Sequence, residues 1–222
     1  MPRPAIAVMA KAPRPGLAKT RLIPALGAEG AAALAHAFLI DTAALARAAA
    51  AQAGGDAYVI ATPDAACDEL AALTGLPALP QGQGDLGARM TAAFAALFAR
   101  EHSPVLLLGA DTPALPPNHI ATALTLAATA PTFGPTGDGG YWTVGLPALA
   151  PALFEAIAWG GPTVLAETRD AAVRAGLTLA FAPPWDDVDE PADLDVLRRQ
   201  LAAAPEAARA TRAALAQLAP GS

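Results

Sequence analysis

Cysteine, lysine, serine and histidine are all scarce in this 222-residue sequence, and each shortage removes a class of chemistry. The single cysteine, Cys67, cannot close an internal disulfide, which fits a cytoplasmic setting. Only Ser103 and Ser222 are serines, and neither lies in a G-x-S-x-G turn, so a serine hydrolase has no nucleophile to use. His36, His102 and His119 are far apart, without an H-E-x-x-H pattern or a cysteine partner, so no zinc site is expected. Charged residues make up only 15% of the chain and the net charge is -6, which lacks the basic field a nucleic-acid binder needs. Long apolar runs are missing too. The chain is 54% hydrophobic, but alanine supplies about 60 residues of it, and no stretch approaches the ~18 strongly apolar residues of a membrane span. The N-terminal apolar run is short and meets Lys11 at once, so neither a secretory leader nor a membrane partner is expected.

What remains is an alternation of apolar strands and helical patterns, of a length suited to one domain spanning 1–222. AIAVMA (5–10) reads as a buried strand, followed by a Pro/Gly-rich loop and a long alanine-rich helix over 28–51. AYVIA (57–61) is a second strand, after which Thr62-Pro63 caps a helix running to about Leu73. LPAL (76–79) is a short third strand, a helix follows from Asp85 to about Glu101, and PVLLLG (104–109) is the central strand. Beyond a helix over 117–129, PTFGPTGDGGYWTVGL predicts a hairpin around its Gly-Asp-Gly-Gly turn. Helices over 149–158 and 163–175, a strand over 177–182, helices over 191–202 and 205–217 and a frayed tail over 218–222 complete the expectation. Such alternation implies an α/β fold: a mostly parallel twisted sheet with helices on both faces and a late antiparallel strand or hairpin.

In open parallel sheets ligands bind beyond the carboxyl ends of the strands, and the informative residues of this chain fall in those loops. The loop after the first strand holds Lys11, Arg14, Lys19 and Arg21, including both lysines of the protein, and reads as either an anion site or a solvated surface loop. Asp111, two residues past the central strand, is a candidate Mg2+ ligand or the start of a turn. Asp189 is a second candidate metal ligand, whereas Glu190 and Asp193 suit a helix cap. Asp138 is either a general base or a hairpin-turn residue, and Tyr141 and Trp142 line a pocket or fill the core. Gly82, Gly84 and Gly87 match G-x-G-x-x-G with Asp111 downstream, a weak pointer to an NAD-binding oxidoreductase.

Taken in order, K-x-P-x-x-G-x-x-K-T-R-L (Lys11 to Leu22), Q-x-x-G-D-L-G-x-R-M (Gln81 to Met90), G-A-D-T-P (Gly109 to Pro113), D-G-G-Y (Asp138 to Tyr141) and D-V-D-E-P-A-D-L (Asp187 to Leu194) resemble the DUF2064 family. That family sits in the nucleotide-diphospho-sugar transferase (GT-A) superfamily, and its members usually carry a provisional glycosyltransferase label. The resemblance implies that Asp111 and Asp189 hold Mg2+ or Mn2+. It also implies that Lys11, Lys19 and Arg21 contact phosphates, and that the glycine loop with Asp85, Gly87 and Arg89 faces the nucleoside. This chain has Glu190 where D-V-D-T-P is commoner, and it lacks a D-x-D at 111–113. The expected reaction is nucleotidyl transfer from a nucleoside triphosphate to a small phosphorylated or phosphonate acceptor, releasing pyrophosphate. An ionised phosphate nucleophile needs no general base, in keeping with so few histidines. The alternatives are glycosyl transfer from an NDP-sugar, with Asp138 as base, and a non-catalytic nucleotide sensor. Oligomeric state is left open.

Overall fold

The computed structural model describes residues 2–218. Seven strands form one sheet in the order β3-β2-β1-β4-β6-β5-β7. They are β1 (Arg3–Lys11), β2 (Asp56–Thr62), β3 (Ala78–Pro80), β4 (His102–Gly109), β5 (Thr132–Pro135), β6 (Tyr141–Leu146) and β7 (Ala180–Phe181). β1 runs parallel to both β2 and β4, while β6 pairs antiparallel with β4 and β5 and is the one reversed strand. The strand order therefore reverses at β1, and the register Met9↔Gly109 brings the ends of β1 and β4 to the same edge of the sheet. That is the crevice where an open α/β sheet exposes its loops to a ligand.

Side-chain alternation along β1 explains why both faces are covered. Ile6, Val8 and Ala10 point into one core with Leu39, Ala43 and Ala46, while Ala5 and Ala7 point into another with Phe94 and Leu97. The first layer contains α1 (Ile23–Gln52), α2 (Cys67–Thr74) and α4 (Pro117–Ala127). The second contains α3 (Leu86–Phe98) and α5 (Val164–Arg174), and α6 (Pro191–Ala203) and α7 (Arg209–Leu218) pack with α1 through Leu34, Phe38, Leu197 and Leu201.

Most expected elements form, with local departures. Gly27 (φ 72) interrupts α1, so its continuous part matches the expected 28–51. By length and mean hydropathy (1.5) Thr20–Gln52 could span a membrane, contrary to the sequence expectation, but Leu34, Phe38, Leu39, Ala43 and Ala46 are buried inside this domain. Thr62 ends β2 instead of capping a helix. Of the expected helix over 149–158 only the turn Pro151–Leu153 forms, and the Gly160-Gly161-Pro162 break lies just beyond it. The expected strand over 177–182 shortens to β7, an edge strand paired with Thr132 and Phe133. Leu218, expected in the tail, closes α7, and residues 219–222 of that tail lie outside the described residues.

The N-terminus of α7 is capped from α1. The buried carboxylate of Asp41 accepts the amides of Ala210 (3.1 Å) and Thr211 (2.7 Å), satisfying two donors that the helix itself cannot. Asp41→Ala should leave both amides unpaired and cost about 1–3 kcal/mol, read as a lower urea midpoint with an unchanged slope.

Candidate active site

Lys19, Asp111 and Asp189 come from three distant parts of the chain and meet at one point. The Lys19 ammonium is 2.9 Å from Asp111 Oδ1 and 2.6 Å from Asp189 Oδ1. Its side chain is 5% exposed, while those of Asp111 and Asp189 are 42% and 39% exposed. Burial pulls the ammonium toward neutrality, but the two facing carboxylates outweigh this and hold its pKa above the ordinary value. The Phe38 ring lies 5.8 Å from the ammonium.

Local sequence explains each placement. β1 ends at Lys11, and Gly16 (φ 75) turns the loop that follows. Lys19 then takes a left-handed backbone (φ 46, ψ 47), unusual for a residue with a Cβ, before the short turn Thr20–Leu22 leads into α1. Asp111 stands two residues past the end of β4. Asp189 reaches it on residues 183–190, a strap stitched across the strand ends. Trp142 Nε1 donates to Pro183 O (3.1 Å), Trp185 N to Pro135 O (3.0 Å), Gly137 N to Asp186 Oδ1 (2.6 Å) and Val188 N to Asp111 O (3.1 Å). The last of these bonds ties the backbone beside one carboxylate to the residue bearing the other. As expected, Asp193 reaches back to cap α6, accepting from the amides of Asp189 (2.9 Å) and Glu190 (2.7 Å).

A cleft of about 570 Å³ opens here, with Lys11, Arg21, Arg89, Asp111 and Asp189 among its walls. Arg21 is 66% exposed and stands 4.0 Å from Asp189 and 3.9 Å from Glu190. Lys11 bends back, its ammonium donating to Leu17 O (2.9 Å). Arg14 pairs with Glu69 and does not line this cleft. The glycine segment borders the cleft through Gln81, Leu86, Arg89 and Met90, and its glycines are not among the lining residues. Asp85 caps α3 through Ala88 N (2.8 Å), Gly82 N donates to Asp64 (3.0 Å), and Gly84 O accepts from Arg89 Nε (3.0 Å). A Cβ on Gly87 would come within 2.5 Å of Phe154 O, so this glycine serves close packing.

The dinucleotide reading of Gly82, Gly84 and Gly87 is corrected by this geometry. Their preceding strand is the three-residue edge strand β3, away from the β1/β4 crevice, and Asp111 faces Lys19. Asp138 is likewise engaged in its own turn, accepting from the Thr136 hydroxyl and from Gly140 N (3.0 Å). It lines a neighbouring cleft of about 340 Å³ with Arg21, Asp186, Asp187, Asp189 and Glu190. Tyr141 and Trp142 both border the main cleft, with Trp142 otherwise buried in the core and the Tyr141 hydroxyl buried.

Two wall residues were not singled out from sequence. Gln81 is buried at the end of β3, its amide donating to Ile60 O (3.1 Å), and a polar residue closing an apolar strand was its available signal. Asp187 sits beside the carboxylate pair: burial, then the charges of Asp189 and Asp111, push its pKa up to about 6. Among the described residues no three acidic, histidine or cysteine side chains converge as a complete metal cage.

The comparisons fit this architecture. The profile of the family described as "uncharacterized protein conserved in bacteria" (DUF2064) matches residues 44–161. The chain belongs to the DUF2064 family. It is similar to a provisionally named nucleotide-diphospho-sugar transferase from Desulfovibrio desulfuricans G20, at 30% identity and TM-score 0.87, with 98% of this chain and 95% of that one covered. More distant likenesses show the shared fold alone. A CMP:2-keto-3-deoxy-manno-octonic acid synthetase complexed with CTP aligns at 13% identity and TM-score 0.56 over 90% of this chain and 99% of that one. An inositol-1-phosphate CTP transferase from T. maritima aligns at 13% identity and TM-score 0.53 over 92% and 97%. No curated protein matches this DUF2064 chain in sequence.

The Asp187 carboxyl of this DUF2064 protein sets a pH dependence. Between its ordinary 3.8 and about 6 the folded state keeps a proton that the unfolded state has lost, so stability falls as pH rises through that window. Asp187→Asn should raise the urea midpoint at pH 8 in the presence of chelator, with the gain fading as pH is lowered toward 4.5.

Proposed function

We propose that the protein is a divalent-metal-dependent nucleotidyltransferase that joins a nucleoside triphosphate to a small acceptor bearing a phosphate or phosphonate, releasing pyrophosphate. The observation that carries this reading is the convergence of Asp111 and Asp189 on one cationic centre in the crevice at β1 and β4, rimmed by Arg21, Arg89 and Lys11. The donor set suits the metal: two partly exposed carboxylates offer hard oxygens, and Mg2+ or Mn2+ is commonly held by one or two carboxylates with substrate oxygens and water completing the shell. When bound there, such an ion supplies charge neutralisation to the phosphates.

The chain's own groups do the rest. Arg21 and Arg89 present forked donors to phosphate oxygens along the cleft wall, and Lys11 holds the loop that carries Lys19. The acceptor oxygen attacks the α-phosphorus, the bond from that phosphorus to the oxygen bridging toward the β-phosphate breaks, and pyrophosphate leaves with the electron pair. An ionised acceptor oxygen brings no proton to remove, which suits a site where Asp138 is occupied by its own turn. The fold this chain shares with the CMP:2-keto-3-deoxy-manno-octonic acid synthetase and the inositol-1-phosphate CTP transferase named above is one that accommodates this class of reaction. Glycosyl transfer from an NDP-sugar has one observation in its favour: the neighbouring cleft sets Asp138, Asp186, Asp187 and Glu190 against Arg21 alone, a better match to a neutral hydroxyl acceptor than to a phosphate.

Product assays across nucleotides separate the two. Pyrophosphate release from a triphosphate in the presence of an acceptor is expected, and nucleoside diphosphate release from an NDP-sugar would overturn the reading. Asp111→Asn should lower turnover roughly 100-fold or more. Asp138→Asn should stay within about threefold of the parent if no base is used, and fall far below it if glycosyl transfer is the reaction.

A further inference from the structure

The carboxylates suited to a divalent cation already face a cation of the chain's own. The Lys19 ammonium lies 2.9 Å from Asp111 Oδ1 and 2.6 Å from Asp189 Oδ1, and the side chain is almost wholly buried between them and Phe38. We propose that Lys19 occupies the place of the metal until a polyphosphate draws it away, so that the cleft takes up a divalent cation together with a polyphosphate and only weakly without one. This rests on Asp111 and Asp189 being the metal ligands.

An ion coordinated by both carboxylates would share their inward oxygens with the ammonium and stand against a like charge at close range, so one cation must yield. A displaced ammonium that stayed buried without a counter-ion would be costly, because an unpaired charge away from water has lost its hydration. A phosphate oxygen in the same cleft supplies the missing partner. The other cations of the loop are poorly placed for this exchange. Lys11 is committed to Leu17 O, Arg14 to Glu69, and Arg21 touches the acids only at 3.9 Å and 4.0 Å from an exposed position. The left-handed backbone at Lys19 (φ 46) is unusual for a lysine, the kind of conformation that clusters at ligand clamps and switch regions. Metal and polyphosphate binding are then linked through a single side chain, and the linkage is reciprocal.

The chain's lysine content makes the exchange observable in the intact protein, because Lys11 and Lys19 are its only lysines. With labelled lysine the wild-type NMR spectrum contains two side-chain ammonium groups, assigned by Lys11→Arg. Mg2+ alone should leave the Lys19 signal in place, and the preformed Mg2+–tripolyphosphate complex should shift it. In parallel, Mn2+ alone should bind Lys19→Met at least about tenfold more tightly than wild type, measured by electron paramagnetic resonance. Displacement of the wild-type Lys19 signal by Mg2+ alone, or equal Mn2+ affinity in a folded Lys19→Met, would overturn the proposal. Should the variant fail to fold, the wild-type spectrum decides. Failure of both proteins to bind Mn2+ would remove the carboxylate pair as a metal site, and the metal-dependent reading with it. Tighter Mn2+ binding by Lys19→Met, together with no transfer by the wild type from any triphosphate or NDP-sugar, would keep the exchange and discard the transferase.

Discussion

One ammonium between two carboxylates organises this molecule's working edge. Asp111 and Asp189 are brought close enough for their charges to oppose each other, and Lys19 is the group that faces both. The energetics are finely balanced, since burying an ammonium is unfavourable and only the two partners beside it recover the loss. The carboxylates stay partly in water, so the cluster is dry on the lysine side and wet on the acid side. Such asymmetry suits a site where the acids must remain open to a ligand. Asp187 carries a cost here: it is withdrawn from water, and with two carboxylates already committed nearby its own charge is disfavoured further.

The cluster is possible only because of how the sheet is wound. β1 and β4 are neighbouring parallel strands, so the loops leaving them emerge side by side at one edge of the sheet, and the helices they enter, α1 and α4, lie on the same face. The reversed strand β6 lies beside β4, and the strap 183–190 crosses back over the strand ends, held by Trp142, Pro135, Gly137 and finally the Asp111 carbonyl. Asp189 is thus positioned by a strap that two main-chain bonds and the side chains of Trp142 and Asp186 hold in place, whereas Lys19 is held by its own side chain.

How much of this could be read from the sequence varies with the range of the interaction. The runs AIAVMA and PVLLLG marked β1 and β4, and Asp111 follows from the second of these, because strand burial and strand-end loops are local signals. The Asp193 cap and the hairpin turn at Asp138 were equally legible, being short-range chemistry. Arg14 was not, because its partner Glu69 lies on α2 and nothing near Arg14 announces it. Gly87, expected in a loop facing the nucleoside, packs closely against Phe154, from the segment read as a helix, and against Trp159 just beyond it. That segment has helical composition, but it is fixed as a turn by tertiary contacts of Leu153 and Phe154 in the core beneath α3. Composition cannot distinguish the two.

The departure from D-x-D gains a structural meaning from the strap. With Pro113 where a second acid would stand, the partner of Asp111 has to come from elsewhere, and Asp189 supplies it from 78 positions further along the chain. Two ligands on adjacent residues of one loop would move together. Two carboxylates on separate segments can move apart, and here, among the described residues, the Val188–Asp111 backbone bond and the Lys19 bridge join them. A site assembled this way responds to whatever pulls on any of its three segments. The loop from β1 is the segment a polyphosphate would touch, through its cations, and the strap is the one that a hydroxyl acceptor of the glycosyl-transfer alternative, seated in the acidic neighbouring cleft, would touch, through Asp186 and Asp187. Both substrates would therefore act on the same pair of carboxylates from opposite sides, which ties the geometry of the centre to the occupancy of both clefts.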